Sequence, residues 1–285
     1  MVIFPSRTNV SSCVSAQQRG SLFWKVTCAS ALAVTACLAP LPSALAASSV
    51  TCDTAYYSAH TLSALSAPDS GLPRSSAAFT SALASEDWLS VALLCPGRYS
   101  EGIVRSALSA VNSSSPASTP SAREIASTLT SSPDAEPFLL SPTLRALSLA
   151  EDRYRFAASV LATRDYSGPD YVSLLTDAEL LSQTYAHLVT DSSTDTRQRI
   201  YDTTSLTNYS GKHSMTGITM PVYASIELDA ALEELTAVDK DSSSQSSQTD
   251  AAMDQRARTV ALSIRGHLLR ALAAGAPRVA ELYLN

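Results

Sequence analysis

The chain has 285 residues and a net charge of −6, and its first 46 residues contain three basic side chains and no acidic one. With 17 basic and 26 acidic residues, the rest of the chain has a net charge of −9. This acidic balance disfavours a nucleic-acid partner, because phosphate backbones bind basic surfaces. The remaining length is sufficient for one sizeable core or two small ones.

The N-terminal segment has the organisation of a secretion signal. After Lys25 the chain turns apolar, and Ala44 and Ala46 then form an A-x-A cleavage site. A basic region, an apolar region and small residues at the cleavage site, in this order, are typical of a signal peptide. The sequence therefore predicts a signal at residues 1–46 and a secreted mature protein that begins at Ala47.

A lipoprotein signal is a second interpretation of the same segment. The run Val34-Thr35-Ala36-Cys37 fits a permissive lipobox, in which a diacylglycerol on Cys37 would tether the protein to a membrane. The prediction is thus a secreted protein or a cell-envelope lipoprotein, with membrane contact only if Cys37 is lipidated.

Either processing route leaves two cysteines, Cys52 and Cys95. An isolated cysteine pair in an exported chain predicts a disulfide, although two unpaired buried thiols are the alternative. A turn at residues 67–71 separates two predicted helices, and a hairpin of these helices would bring the two cysteines together. Loop closure would then stabilise the fold by roughly 3–4 kcal/mol.

The fold class predicted for the whole chain is all-α. Glycine is scarce, at 9 residues, and apolar residues recur at spacings of three and four in segment after segment. Residues 47–111 form the predicted N-terminal helical hairpin region, and the Ser/Pro-rich residues 112–120 form a linker. The main helical bundle occupies residues 121–285, and we expect it to pack with the hairpin region as one unit.

Local signals give the predicted starts of the helices in the main bundle. Ser121–Glu124 and Thr176–Glu179 are capping-box patterns, and Ser141-Pro142 places an N-cap hydroxyl before a proline in the first turn. A further helix is predicted from about Pro221 to Val238. Asp239–Asp250 is predicted to be a solvated linker before the last long helix.

The segment Asp191–Gly217 has no sustained period and is the predicted binding loop. A loop this long is unusual in a compact domain, and loops of this kind often carry recognition. Its aromatic and basic side chains are the candidate ligand-binding residues for a small molecule or an envelope component: Arg197, Arg199, Tyr201, Tyr209 and His213. The alternative is a connector whose arginines pair with nearby aspartates.

Two carboxylates lie on the apolar stripes of predicted helices, Glu86 and Glu151. Two inward carboxylates on facing helices are what a metal site inside a bundle needs. The alternative is structural, since Glu151 can pair with Arg155 one turn later and a carboxylate at the edge of a stripe is commonly solvated.

The segment Leu147–Arg164, the helix that follows it and Asp195–Asp202 together resemble an uncharacterised ferritin-like domain of exported actinobacterial proteins. The resemblance covers about Ser141–Val238. It implies a four-helix core, and it supplies no catalytic residues.

The sequence lacks the motif of a di-iron enzyme. Such bundles use pairs of Glu-x-x-His, and the residues three before His60, His187, His213 and His267 are Tyr57, Thr184, Ser210 and Ile264. No other catalytic motif is present, so the sequence assigns no catalytic residue, no metal ligands and no cofactor. The predicted function is a non-enzymatic extracellular or envelope protein with a binding or structural role. The alternative is a metal-dependent or hydrolytic enzyme on the same bundle.

Overall fold

The computed structural model describes residues 50–113, 119–131, 138–164, 169–191, 195, 197–198, 200–207, 209–242 and 251–284. The predicted signal, Cys37 and Arg199 lie outside these residues. The described part of the chain is helical and contains no β-strand, as the periodicity predicts.

The chain begins with a disulfide-linked helical hairpin. Helix α1 (Cys52–Ser66) starts with a capping box between Thr51 and Thr54, and it packs against α2 (Arg74–Leu94). Cys52 and Cys95 form a disulfide with their Cα atoms 4.9 Å apart. The prediction of an N-terminal hairpin closed by this disulfide is confirmed.

Helix α3 (Tyr99–Asn112) turns back along α2 and approaches it very closely. A Cβ atom on Gly102 would lie 2.5 Å from the backbone nitrogen of Ala92, a distance that no side chain tolerates. Glycine is therefore required at this crossing of α2 and α3.

Five further helices form a closed ring: α4 (Ala122–Thr130), α5 (Ser141–Ala162), α6 (Tyr171–Leu188), α8 (Val222–Ser242) and α9 (Ala251–Ala273). Within the ring, α5 packs against α6, α6 against α4, α4 against α9, α9 against α8, and α8 against α5. Helix α3 packs on the outside of α8 and α9. The largest apolar cluster is shared by these helices, so the core of the protein lies in and beside the ring.

Of the three predicted helix starts in the main bundle, one is confirmed together with its capping residues. The Ser121 hydroxyl accepts from the backbone N–H of Glu124, whose carboxylate accepts from the N–H of Ser121, so this capping box is confirmed. Helix α5 begins at Ser141 with Pro142 in its first turn, but its N-cap residue is Leu140 and no side chain caps it, so the N-cap predicted at Ser141 is wrong by one residue. The capping box predicted at Thr176 is wrong, because α6 is already formed there and the Thr176 hydroxyl donates to a carbonyl of the preceding turn.

The segment between α6 and α8 contains a short helix, α7 (Thr204–Thr207), and a single antiparallel bridge between Lys212 and Thr219. Helix α8 then runs four residues beyond the predicted end, to Ser242. A linker that starts at Asp239 is therefore wrong. The Asp239 and Asp241 carboxylates accept hydrogen bonds from the backbone N–H groups of Ser100 and Leu140, and these bonds stabilise the end of α8.

Reciprocal serine contacts join two pairs of helices. In α2 and α3, the Ser85 hydroxyl donates to the Ser106 carbonyl at 2.9 Å, and the Ser106 hydroxyl donates to the Ser85 carbonyl at 2.7 Å. In α5 and α6, Ser148 and Ser182 exchange the same bonds at 2.8 and 2.9 Å. All four serines are buried.

Across the described residues, no helix has the length and hydropathy needed to cross a membrane.

Candidate metal centre

Helix α5 points one carboxylate into the ring. The Glu151 residue is 1% exposed, although it stands among apolar residues of the core. The alternative pairing with Arg155 does not occur, since the Arg155 guanidinium binds Asp152 and Glu179. The other predicted buried carboxylate is wrong: the Glu86 side chain is 51% exposed and pairs with Arg258 and Arg265 of α9.

Helix α8 contributes two more carboxylates to the same interior. Glu227 and Glu234 are seven residues apart, so they lie two helical turns apart on one face. Both are completely buried. Helix α9 adds His267, which is also buried. Three helices, α5, α8 and α9, thus direct titratable side chains to one place.

Glu227 is held by four donors. Its Oε1 accepts from the Tyr154 hydroxyl at 2.6 Å, the Tyr223 hydroxyl at 2.5 Å and the Arg270 Nε at 2.8 Å, and its Oε2 accepts from His267 at 2.7 Å. Burial opposes ionisation of Glu227, but the charge of Arg270 and the bonds from His267 and Arg270 outweigh it. Together they lower the pKa of Glu227 to about 2.

The hydrogen bond to Glu227 fixes the orientation of the His267 ring. An ionised carboxylate can only accept, so the bond to Glu227 requires a proton on Nδ1 of His267, although Nη2 of Arg270 also lies 2.9 Å from this nitrogen. The other ring nitrogen, Nε2, lies 3.4 Å from Oε1 of Glu151. Burial and the charge of Arg270 oppose protonation of the ring, but Glu151 and Glu227 outweigh them and raise the pKa of His267 to about 10.

Glu234 has no hydrogen-bond partner for either carboxylate oxygen among the described residues, and Oε2 of Glu151 has none either. Burial, and then the charge of Glu151, raise the pKa of Glu234 to about 8. A buried carboxyl group without a partner is costly, and natural cores rarely contain one without a reason. Tyr185 is also completely buried, and the nearby charges of Glu234 and Glu151 add to burial in raising its pKa.

One oxygen each from Glu151 and Glu234 and a ring nitrogen of His267 lie within 4.8 Å of one another. Two carboxylates and one imidazole are ligands that zinc, manganese and iron accept. A histidine that donates its other N–H to a carboxylate is the usual arrangement around such ions, because the carboxylate fixes the ring. The residues present therefore fit a divalent transition-metal ion, with the unpartnered oxygens as the groups that it would satisfy.

A cavity of about 240 Å³ adjoins this cluster. Its wall includes Glu151 and His267, together with side chains of α4, α6 and α9. The cavity lies on the inner side of the helix ring, next to two of the three candidate ligands.

The four candidate ligand-binding residues of the loop that the structure describes all contact other protein groups: Arg197, Tyr201, Tyr209 and His213. The Arg197 guanidinium pairs with Asp195 at 2.6 Å, as the connector interpretation expects. The Tyr201 hydroxyl donates to Asp152 at 2.5 Å, and the Tyr209 hydroxyl donates to a backbone carbonyl at 2.8 Å.

His213 is buried rather than displayed for a ligand. Its Nδ1 accepts from the backbone N–H of Thr216 at 3.2 Å, and its Nε2 donates to Asp229 at 2.9 Å. The histidine thereby fastens the turn at residues 214–216 to α8.

Sequence reasoning missed Glu227, Glu234 and His267. A signal was present, because Glu227, Ala231, Glu234 and Val238 recur at spacings of four and three on the inner face of α8. The same spacing places His267 among the buried residues Val260, Ile264 and Ala271 of α9. A search restricted to Glu-x-x-His pairs within one helix could not detect ligands that come from three helices.

No protein-family model, no curated protein and no solved structure matches this chain.

Proposed function

We propose that this domain binds a divalent transition-metal ion inside its helix ring through Glu151, Glu234 and Nε2 of His267. The observation that carries the proposal is Glu234, a fully buried carboxyl group with two unpartnered oxygens that faces a second carboxylate and a histidine. A metal ion would bind the oxygens of Glu234 and Oε2 of Glu151, for which no hydrogen-bond partner exists among the described residues.

Glu227 and Arg270 support the site without binding the ion. Glu227 orients the His267 ring, and Arg270 balances the charge of Glu227 at 2.8 Å. Changes to such outer partners typically weaken metal binding 10- to 100-fold. The ligand set contains no thiolate, and it includes an imidazole, which favours zinc, iron, manganese or cobalt over copper(I), calcium or magnesium.

Titration of the metal-free protein with Zn²⁺, Co²⁺ and Mn²⁺ in a calorimeter tests this function. We expect one ion per chain, and we expect Glu234→Gln and His267→Gln to weaken binding by more than about 100-fold, beyond the effect of losing an outer partner. Matched controls are Glu233→Gln, an exposed neighbour on α8, and His187→Gln, an exposed histidine on α6. Absence of stoichiometric binding, or equal binding by Glu234→Gln and the native chain, would refute the proposal.

We propose further that the protein acts outside the cytoplasm, as the predicted signal and the disulfide pair suggest. Intact-mass measurement of the mature N-terminus separates the two processing routes. A start at Ala47 means release, and a lipidated Cys37 means attachment to the envelope. A chain that retains residues 1–46 in the producing cell would contradict export.

The ferritin-like resemblance also remains a proposal, and it concerns architecture. Helices α5 and α6 lie in the resembling segment together with most of α8. Two of the ligands, Glu151 and Glu234, lie inside that segment, whereas His267 lies beyond it on α9. The proposed ion therefore rests on a ligand set that is not the paired Glu-x-x-His motif of di-iron bundles.

A further inference from the structure

The cavity beside the metal centre provides space that the three ligands do not fill. Glu151 and His267 lie in its wall, and Glu234 does not, so the cavity approaches the centre from the side of Glu151 and His267. Its volume of about 240 Å³ exceeds the roughly 150 Å³ of an engineered cavity that takes up benzene. A molecule of that size fits next to the ion.

The wall of this cavity combines a basic group with an apolar surface. Arg270 supplies the positive charge, and it stands next to His267 and Glu227 at the metal centre. Ile125, Leu174 and Leu181 line the side formed by α4 and α6. A suitable occupant therefore has a small anionic end and an apolar body.

The rim of the cavity reaches the protein surface. Thr119, Ser121 and Asp177 belong to the lining and are exposed. Gly266 keeps this entrance in place, because a Cβ there would come within 2.8 Å of the Thr119 side chain. The entrance is thus formed where Thr119 lies against α9.

Charge balance at the centre is compatible with an added anion. A divalent ion is neutralised by the carboxylates of Glu151 and Glu234, and the charge of Glu227 is matched by Arg270. Three protein ligands leave a coordination position available, as catalytic metal sites do. The ligand set itself carries no excess negative charge, and the Asp177 carboxylate at the rim is exposed to water, which screens it from an approaching anion.

We infer that the centre takes a small monocarboxylate with an apolar body as an exogenous ligand. Its carboxylate occupies the open position of the ion beside Arg270, and its apolar part packs against Leu174 and Leu181. This inference rests on the proposed metal-binding function and names the class of molecule that the site accepts.

The test uses the Co²⁺-loaded protein, whose visible spectrum reports changes in coordination. Benzoate, formate and benzamide are titrated in parallel. We expect benzoate to change the spectrum and to bind at least about 10-fold more tightly than formate, because its ring fills the apolar part of the cavity. Benzamide, which has the same shape without the charge, should leave the spectrum unchanged.

A pair of α6 variants locates the ligand. Leu174→Trp fills the cavity, and Val172→Trp makes a change of the same kind at a position that is 75% exposed. Both should bind Co²⁺ as the native chain does. Only Leu174→Trp should weaken benzoate binding, by about 10-fold or more.

The possible outcomes distinguish a failure of the carboxylate ligand from a failure of the metal site. If Co²⁺ binds and benzoate leaves the spectrum unchanged, the inference is overturned and the metal site stands. Equal responses to benzoate and benzamide overturn the carboxylate class, and native benzoate affinity in Leu174→Trp overturns the location. If Co²⁺ does not bind, the proposed function fails and the inference fails with it.

Discussion

The buried carboxyl group of Glu234 lowers the free energy of unfolding of the metal-free protein, and a conservative substitution should remove this destabilisation. The pKa of this carboxyl group rises from an ordinary value of 4.5 to about 8 in the folded protein. Between these two values the folded state binds a proton that the unfolded state does not. Stability of the native chain therefore falls as the pH rises through this window.

The magnitude follows from the size of the pKa difference. Each unit corresponds to about 1.4 kcal/mol, so at pH 7 the protonation of Glu234 on folding costs about 3 kcal/mol. Glu234→Gln has nearly the same shape and carries no charge at any pH. We expect this variant to be about 3 kcal/mol more stable than the native chain at pH 7 and nearly equal to it at pH 4.5.

Urea denaturation between pH 4.5 and pH 8, with a chelator present and the disulfide intact, measures the effect. Glu233→Gln is the matched control, since the Glu233 side chain is 40% exposed and pairs with Arg153 at the surface. Because it retains Glu234, its stability should fall with rising pH as that of the native chain does, and its difference from the native chain should not change in this way. A stability difference between Glu234→Gln and the native chain that is absent at pH 7, or that stays constant from pH 4.5 to pH 8, would refute the burial argument. Glu234→Gln should also bind the metal ion much more weakly, so in this variant stability rises while metal affinity falls.

Three further predictions concern the ion and the scaffold. Metal affinity should rise by up to about 100-fold from pH 6 to pH 7, because His267 and Glu234 each release a proton on binding; calorimetry in buffers of different ionisation enthalpy counts these protons, and a count of zero contradicts the assignment. Replacement of both Cys52 and Cys95 by serine should lower the free energy of unfolding by about 4 kcal/mol through loop closure over 43 residues; equal urea midpoints for the oxidised and reduced native chain would argue against this. Gly102→Ala should destabilise the protein by about 1–3 kcal/mol through overpacking, measured as a lowered melting temperature, and an unchanged value would show that α2 and α3 can separate without loss.

The helical fold follows from local patterns that the sequence displays openly. The capping box at Ser121, the proline in the first turn of α5 and the spacing of apolar residues all act within one or two turns. The Cys52–Cys95 pair is likewise recognisable, because only two cysteines remain after the predicted signal. The end of α8 was missed, because the residues that stabilise Asp239 and Asp241 are more than a hundred positions away.

The candidate site was only partly visible for the same reason. Glu151 is identified by its place on an apolar stripe, and the same rule assigned Glu86 to the interior although it is exposed. An apolar stripe alone cannot distinguish a buried glutamate from an exposed one, since their burial depends on what packs against each helix. Glu86 meets two arginines of α9, whereas Glu151 meets His267 of the same helix.

The serine pairs between helices set the distance and the alignment at which the helices pack. Serine is abundant in this chain, and its usual association is with linkers and surfaces, yet Ser148 and Ser182 bind each other's carbonyls inside the core. A small hydroxyl-bearing residue lets two helix backbones approach closely, and the reciprocal bonds permit only one vertical alignment of α5 against α6. Because Glu151 follows Ser148 by three residues on the same helix, this alignment also sets the height at which its carboxylate enters the ring. The position of a candidate ligand is thus determined one turn away, by two hydroxyl groups that are not candidate ligands themselves.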